Sequence, residues 1–359
     1  MTWRAQVGLV VAVTVLKYGL GVIPNWNLLA GMAQHWHHPP AALPLKMEDY
    51  LLNSPTASWI AGALGARTPR LYLAFQVLLT GAVLCSLYGL ARVRASREVR
   101  AFVTLLLLSS AVTTNLFVWL GGYDLVSILG AGLASLGTSK WTRGIGWAFF
   151  AFNNLPQACL AFIAYLLVVG ASRGWRSAVR WIVPGALGAL LGAIGICALM
   201  EAWSISPLVR ANYAESNSFS SLWSSMIQFL PLLTFAGIGG GWFFFVHRSF
   251  NEKRESRTLV VVLLTMLPLV SLTSQDQGRV LSIVMWPALL WVVASVAENL
   301  AADQAKKILS ATGPAVLLMP ALLSWNGSII YPGLLSAFRM IAFLFTGHGL
   351  NTISGVLVS

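Results

Sequence analysis

Residues 181–200 read WIVPGALGALLGAIGICALM, twenty positions without a charged side chain. Wound as a helix, ~20 residues match the ~30 Å hydrocarbon core of a bilayer. Comparable runs, separated by short polar stretches, fill most of the 359 residues. The chain is 57% hydrophobic and only 9% charged, whereas soluble domains carry about 25% charged residues. In lipid every backbone N–H and C=O must be satisfied within the protein, so such runs form helices or closed barrels. These runs are long, rich in Leu, Ala, Val and Gly, and lack a period of two, which selects helices. The sequence therefore predicts an all-α, polytopic helical membrane protein. It is a single integral domain over 1–359 with about nine to eleven membrane segments. Arg4 opens an apolar run that no small-residue cleavage site closes, so that run is expected to stay as the first helix.

The net charge of +12 follows topology. Arg92, Arg94, Arg97 and Arg100 form the densest basic cluster, and others stand at 140–143, 173–180, 248–257 and Lys306–Lys307. Short basic loops between apolar runs mark the cytoplasmic side, not a nucleic-acid surface. They place the N-terminus inside and the 24–70 segment outside, in an inner membrane of bacterial type. Spans are expected near 6–23, 71–90, 101–120, 124–137, 181–200, 226–247, 258–272, 280–297, 308–324 and 332–346. Residues 144–171 have basic clusters at both ends, and FNNLPQ at 152–157 interrupts them. A re-entrant or broken helix pair satisfies both facts, because irregular backbone at membrane depth is tolerated when buried in protein or lining a cavity. Cys85, Cys159 and Cys197 lie in apolar segments without CxxC spacing and read as buried thiols.

Six acids fall on the outer side: Glu48, Asp49, Asp124, Glu201, Glu215 and Asp276. Acids at a membrane boundary usually face a cavity or a partner. Asp124 follows GGY at the start of a span. SQDQGR, 274–279, sets Gln275, Asp276, Gln277 and Arg279 at the lip of another, with Gly278 loosening the backbone. That group offers donors and acceptors to a polar, anionic ligand. Helix capping is the plainer reading of Asp124 and Asp276; for Arg279 it is snorkelling or pairing with Asp276. The 24–70 loop is too long for a plain connector. Within it, Tyr50–Leu64 reads as an amphipathic helix in the outer interface, anchored by Trp59. His35, His37 and His38 lack the i, i+4 spacing of helical metal ligands. The cofactor is left unknown: a divalent metal is compatible with the outer acids but not indicated by ligand spacing.

Glu48-Asp49 in the long first loop, the amphipathic stretch after it and the inside N-terminus resemble the GT-C superfamily of membrane glycosyltransferases. GYDLVSILGAGLASL, FNNLPQACLAF and SQDQGRV are similar to segments of its bacterial members. The chain has no WWDYG-like signature, which sets it apart from the oligosaccharyltransferase branch. The resemblance implies a GT-C-like fold with interfacial helices in the first external loop. It also implies a polyprenyl-phosphate sugar donor, a glycan or lipid acceptor and inverting transfer at the outer face. Asp49 would then be the base, with Glu48 second, and Arg279 with Arg210 or Arg67 would clamp the phosphate. Asp276 and Asp124 would hold Arg279 or sugar hydroxyls, with Gln275, Asn153 and Gln157 as further substrate-binding residues. Three rivals stand beside it: a lipid-linked-substrate transporter or flippase, for which the broken FNNLPQ helix speaks, another lipid-carrier ligase or acyltransferase, and a non-catalytic subunit.

Overall fold

The computed structural model describes residues 12, 19–23, 26–38, 51–52, 54–92, 96–122, 124–206, 218–246, 254–274, 276–318, 323–325, 328–330, 333–347 and 356–357. In chain order the helices are α1 Trp26–Gln34, α2 Thr56–Ala63, α3 Pro69–Arg92, α4 Arg97–Leu108, α5 Ala111–Val118, α6 Asp124–Leu136, α7 Lys140–Asn153 and α8 Leu155–Arg173. They continue with α9 Trp175–Ala202, α10 Phe219–Gln228, α11 Leu230–Ile238, α12 Gly241–Val246, α13 Arg254–Ser271, α14 Gln277–Asn299, α15 Ala302–Leu318 and α16 Gly333–Thr346. Three short strands, β1 Leu323–Trp325, β2 Ser328–Ile330 and β3 Val356–Leu357, pair antiparallel in the order β1-β2-β3. They are too short to change the all-α class, but β1 falls at the end of the span expected over 308–324.

Helix α9 shows how the lipid-exposed and packed faces divide. Leu187, Leu190, Leu191 and Ile194 are exposed, Leu191 by 67%, while Gly185, Gly188, Gly192, Ile196 and Met200 are buried. In water such an apolar face would be costly; facing acyl chains it is not. Lipid also removes the hydrophobic drive between helices, so they associate through close backbone packing at small residues. A Cβ at Gly188 would run into the Gly144 carbonyl, and one at Gly192 into that of Ala148. Contacts advance in the same direction along both helices, so α7 and α9 run parallel, and α8, which connects them in the chain, runs back the other way. Gly130 and Gly146 bring α6 and α7 together in the same way, antiparallel. Asn154 forms the break between α7 and α8, and its side chain accepts a hydrogen bond from the Gln157 N–H at 3.4 Å.

At the centre lies α14, buried along almost its whole length, with α6, α8, α11 and α13 packed around it. Helices α3, α8, α9 and α14 are long and apolar enough to cross a bilayer. Two bent pairs, α4 with α5 at 56° and α10 with α11 at 76°, raise the number among the described residues from four to six. The chain is thus an integral membrane protein built of helices. The larger expected number included α6, which is only 13 residues long, and α13, whose first turn carries Arg254, Glu255 and Arg257. It also included 6–23, most of which falls outside the described residues.

Other expectations change in detail. The single helix expected over 226–247 is divided into α10, α11 and α12, and that over 101–120 into α4 and α5. The breaks meet: Gly239 adopts φ +63°, and the Gly240 N–H donates to the Ser109 carbonyl at 2.8 Å. Each break thereby supplies a backbone partner to the other. In the first loop, α2 is shorter than the Tyr50–Leu64 helix expected there. Trp59 packs on protein, edge-on to Trp203 at 5.6 Å and tilted against Phe152 at 6.4 Å. Cys85 and Cys159 are exposed and Cys197 is half-buried, so these thiols lie on outward-facing helix surfaces and not in the core.

Gly188→Val should therefore separate α7 from α9. The expected loss is ~1–3 kcal/mol, read as a lower Tm in detergent. Gly81→Ala, with nothing within 4 Å of the added Cβ, should stay within about 0.5 kcal/mol of the parent.

Candidate functional site

After α5 the chain unwinds through Trp119–Gly122 before α6 begins at Asp124. The freed backbone groups are paired by the 19–23 segment. Gly21 N–H donates to Phe117 O at 2.9 Å, Leu120 N–H to Gly21 O at 3.0 Å, and Ile23 N–H to Leu120 O at 3.0 Å. Gly121 sits at φ +82°, where an L side chain is strained, and its carbonyl accepts the Tyr72 hydroxyl at 3.0 Å. This turn is therefore pinned from two sides. It sets Asp124 opposite the first turn of α14.

There Arg279 is almost fully buried, with its side chain 3% exposed. Its Nη1 donates to Asp124 Oδ2 at 2.6 Å, and its Nε and Nη2 donate to Asp276 Oδ2 at 2.9 and 2.5 Å. The Trp119 ring lies 5.9 Å from the guanidinium. Asp276 occupies the N-cap position of α14, yet its carboxylate makes no capping bond. It turns back to Arg279 three residues on. Two carboxylates thus share one guanidinium. Burial pushes the Asp276 carboxyl up from the ordinary carboxylate value, Arg279 pulls it back, and Asp124 adds to the rise.

A polar network extends from this triad. Asn115 Nδ2 donates to Ser282 Oγ at 2.6 Å, and Ser282 Oγ donates to the Arg279 carbonyl at 2.7 Å. Gln277 Nε2 donates to the Ser271 and Leu222 carbonyls at 2.9 and 3.2 Å, closing α14 onto α13 and α10. One turn along α6 from Asp124, Ser127 accepts from Asn153 Nδ2 at 2.9 Å, and the Asn153 carbonyl accepts from Ser54 Oγ. The loop that carries Ser54 is thereby tied to the helices that carry the triad. Gln76, Thr80, Asn115, Trp119, Gly122 and Asp124 line a cavity of about 10 Å³. That is room for about one water, not for a sugar or a phosphate. Asp124 Oδ1 and Asn115 Oδ1, of residues on its wall, are buried without a hydrogen-bond partner.

Among the sequence candidates, Asp124, Asp276 and Arg279 come together, and Asn153 joins them through Ser127. Arg67 does not: its Nε holds the Gly62 carbonyl at 3.1 Å, at the end of α2. Gln157 is buried beside the Asn154 break, with its Oε1 unpartnered. Glu48, Asp49, Gln275 and Arg210 lie outside the described residues. Sequence reasoning passed over Asn115, Ser282 and Trp119. Asn115 had a legible signal, a lone amide inside the apolar run AVTTNLFV, since polar groups at membrane depth need a partner. Ser282 and Trp119 had none. Among the described residues no group of three or more His, Cys, Asp or Glu could hold a metal ion. The arrangement can accept hydrogen bonds from hydroxyls at its free carboxylate oxygens; the guanidinium is already engaged on both sides.

No protein-family model, curated protein or solved structure is similar to this chain.

Removing one member of a buried ion cluster strands the others, at ~3–5 kcal/mol. Arg279→Ala should incur that loss, read from unfolding in detergent. An acid whose folded pKa is raised keeps its proton longer folded than unfolded. Its contribution to stability therefore falls as pH climbs from the ordinary carboxylate range through the raised folded value. Asp276→Asn should remove that decline and flatten stability against pH in this range.

Proposed function

We propose that the chain is a membrane glycosyltransferase, moving a sugar from a polyprenyl-phosphate donor to a glycan or lipid acceptor at the outer face. The observation that carries this reading is the buried Asp124–Arg279–Asp276 network, gathered at one end of the helix bundle and tied through Ser127, Asn153 and Ser54 to the first loop. Two carboxylates against one guanidinium leave a net negative site whose uncommitted oxygens, Asp124 Oδ1 and Asp276 Oδ1, suit sugar hydroxyls better than a phosphate. In this reading Arg279 orients the two acids, and donor phosphate falls to other donors such as Arg210. Transfer to a hydroxyl needs a base, and Asp49 stands five residues before Ser54, a tether of at most ~18 Å.

The test is transfer from labelled polyprenyl-phosphate sugars by the purified protein. Asp49→Asn should lower turnover by ~10²–10⁴-fold, the usual contribution of a general base, while folding is retained. Glu48→Gln should do much less. Normal transfer by both variants would remove the catalytic assignment. A second reading, a carrier for a lipid-linked substrate, is favoured by the meeting of two helix breaks at Ser109 and Gly240, since discontinuous helices recur at transporter sites. Lipid translocation in proteoliposomes without sugar transfer would select it.

A further inference from the structure

At the end of the bundle opposite Asp124 and Arg279, two arginines share one ring. Arg143 of α7 lies 4.2 Å from the Trp181 centroid and Arg173 of α8 lies 4.7 Å from the same centroid. Arg173 also stands 5.5 Å from the Trp291 ring of α14. No carboxylate among the described residues is within ion-pair distance of either guanidinium. Like charges held on one indole repel, and Lys140, Arg176 and Arg180 nearby in the chain add to them; the acids of this end, Glu98, Glu255, Glu298 and Asp303, form no ion pair with either guanidinium among the described residues.

Part of this has a local explanation. Arg143 Nη1 donates to the Gly137 and Thr138 carbonyls at 3.2 and 3.4 Å, closing the C-terminal end of α6. Arg173 ends α8, where a cation suits the helix dipole. Two buried groups are left over. Arg143 Nε has no hydrogen-bond partner, and neither has the hydroxyl of Tyr165, a fully buried residue of α8 on which both arginine charges act. Buried donors without partners are rare and costly. One of them belongs to Arg143 itself and the other feels both cations, whose forked geometry matches phosphate oxygens.

The surroundings say what carries the phosphate. Trp141 and Trp175 are exposed beside this cluster, by 72% and 55%, in the manner of residues at headgroup level. From there the exposed Val183, Leu187 and Leu190 of α9 extend along the membrane-facing surface, a track for acyl chains. Basic pockets between membrane helices recognise anionic headgroups. We propose that Arg143, Arg173, Tyr165 and Trp181 form a binding site for a phosphate group, carried by an anionic lipid of the leaflet at the basic end of the bundle.

The experiment measures phosphatidylglycerol retained by the full-length protein after detergent exchange from phosphatidylglycerol/phosphatidylcholine nanodiscs. The parent protein should retain phosphatidylglycerol over phosphatidylcholine. Arg173→Gln, a change at an exposed side chain, should lower that retention by ~10-fold, the effect of one charge-assisted bond. Arg173→Lys should fall between them, and Tyr165→Phe should weaken retention without changing charge. Lys307→Gln, which removes one exposed positive charge from α15, should leave it intact. Equal retention by parent and Arg173→Gln, or an equal loss in Lys307→Gln, would overturn the site. Full displacement of the lipid by inorganic phosphate would overturn the lipid as its source.

Discussion

A positive charge buried at the lip of the most enclosed helix has to be answered before that helix can pack. Arg279 opens α14, and α14 is the element against which α6, α8, α11 and α13 are laid. An isolated guanidinium there would carry a desolvation penalty of several kcal/mol. Asp276 answers it from the same helix end and Asp124 from the start of α6. The second of these fixes one helix against another. It also explains why so much of the nearby irregular backbone is pinned, because Asp124 reaches Arg279 only if the Trp119–Gly122 turn holds its shape. The 19–23 segment, Tyr72 and the positive-φ Gly121 all serve that turn.

Away from this end, the bundle is held by contact and not by charge. Glycine and alanine let α6, α7 and α9 approach backbone to backbone, while the leucines of α9 face outward. The opposite end is aromatic and basic. Polar chemistry is therefore segregated into two layers, one built on two buried carboxylates and a guanidinium, the other with an excess of basic side chains. Such segregation fits a bilayer, where charges are least costly near the two interfaces.

Much of this was legible in the sequence for physical reasons. A helix in lipid needs an uninterrupted apolar run, so α3, α9 and α14 could be read from hydropathy. The FNNLPQ break was visible because Asn and Pro both interrupt a ladder of backbone hydrogen bonds. Other features were not legible. Whether 101–120 makes one helix or two depends on Ser109 finding a partner in Gly240, 131 positions away. Trp59 carries the composition of an interface anchor, and only tertiary packing reveals Trp203 and Phe152 against it. The site divides similarly. Asp276 and Arg279 are neighbours in sequence, while Asp124, Asn115 and Asn153 reach them through contacts between helices.

The form of the triad bears on why it is charged at all. A buried ion cluster replaced by apolar groups of similar volume is often equally or more stable. Close packing alone would thus be served by leucine or methionine at 124, 276 and 279. What the ions add is a rigid pair of carboxylates, oriented by one guanidinium, with an oxygen left over on each. Those oxygens are costly in a closed site and useful in an open one, where a hydroxyl donor can complete them. The cavity beside Asp124 admits only about one water, so a larger ligand requires the wall to move. Ser54 of the first loop is joined to the same network through Asn153 and Ser127.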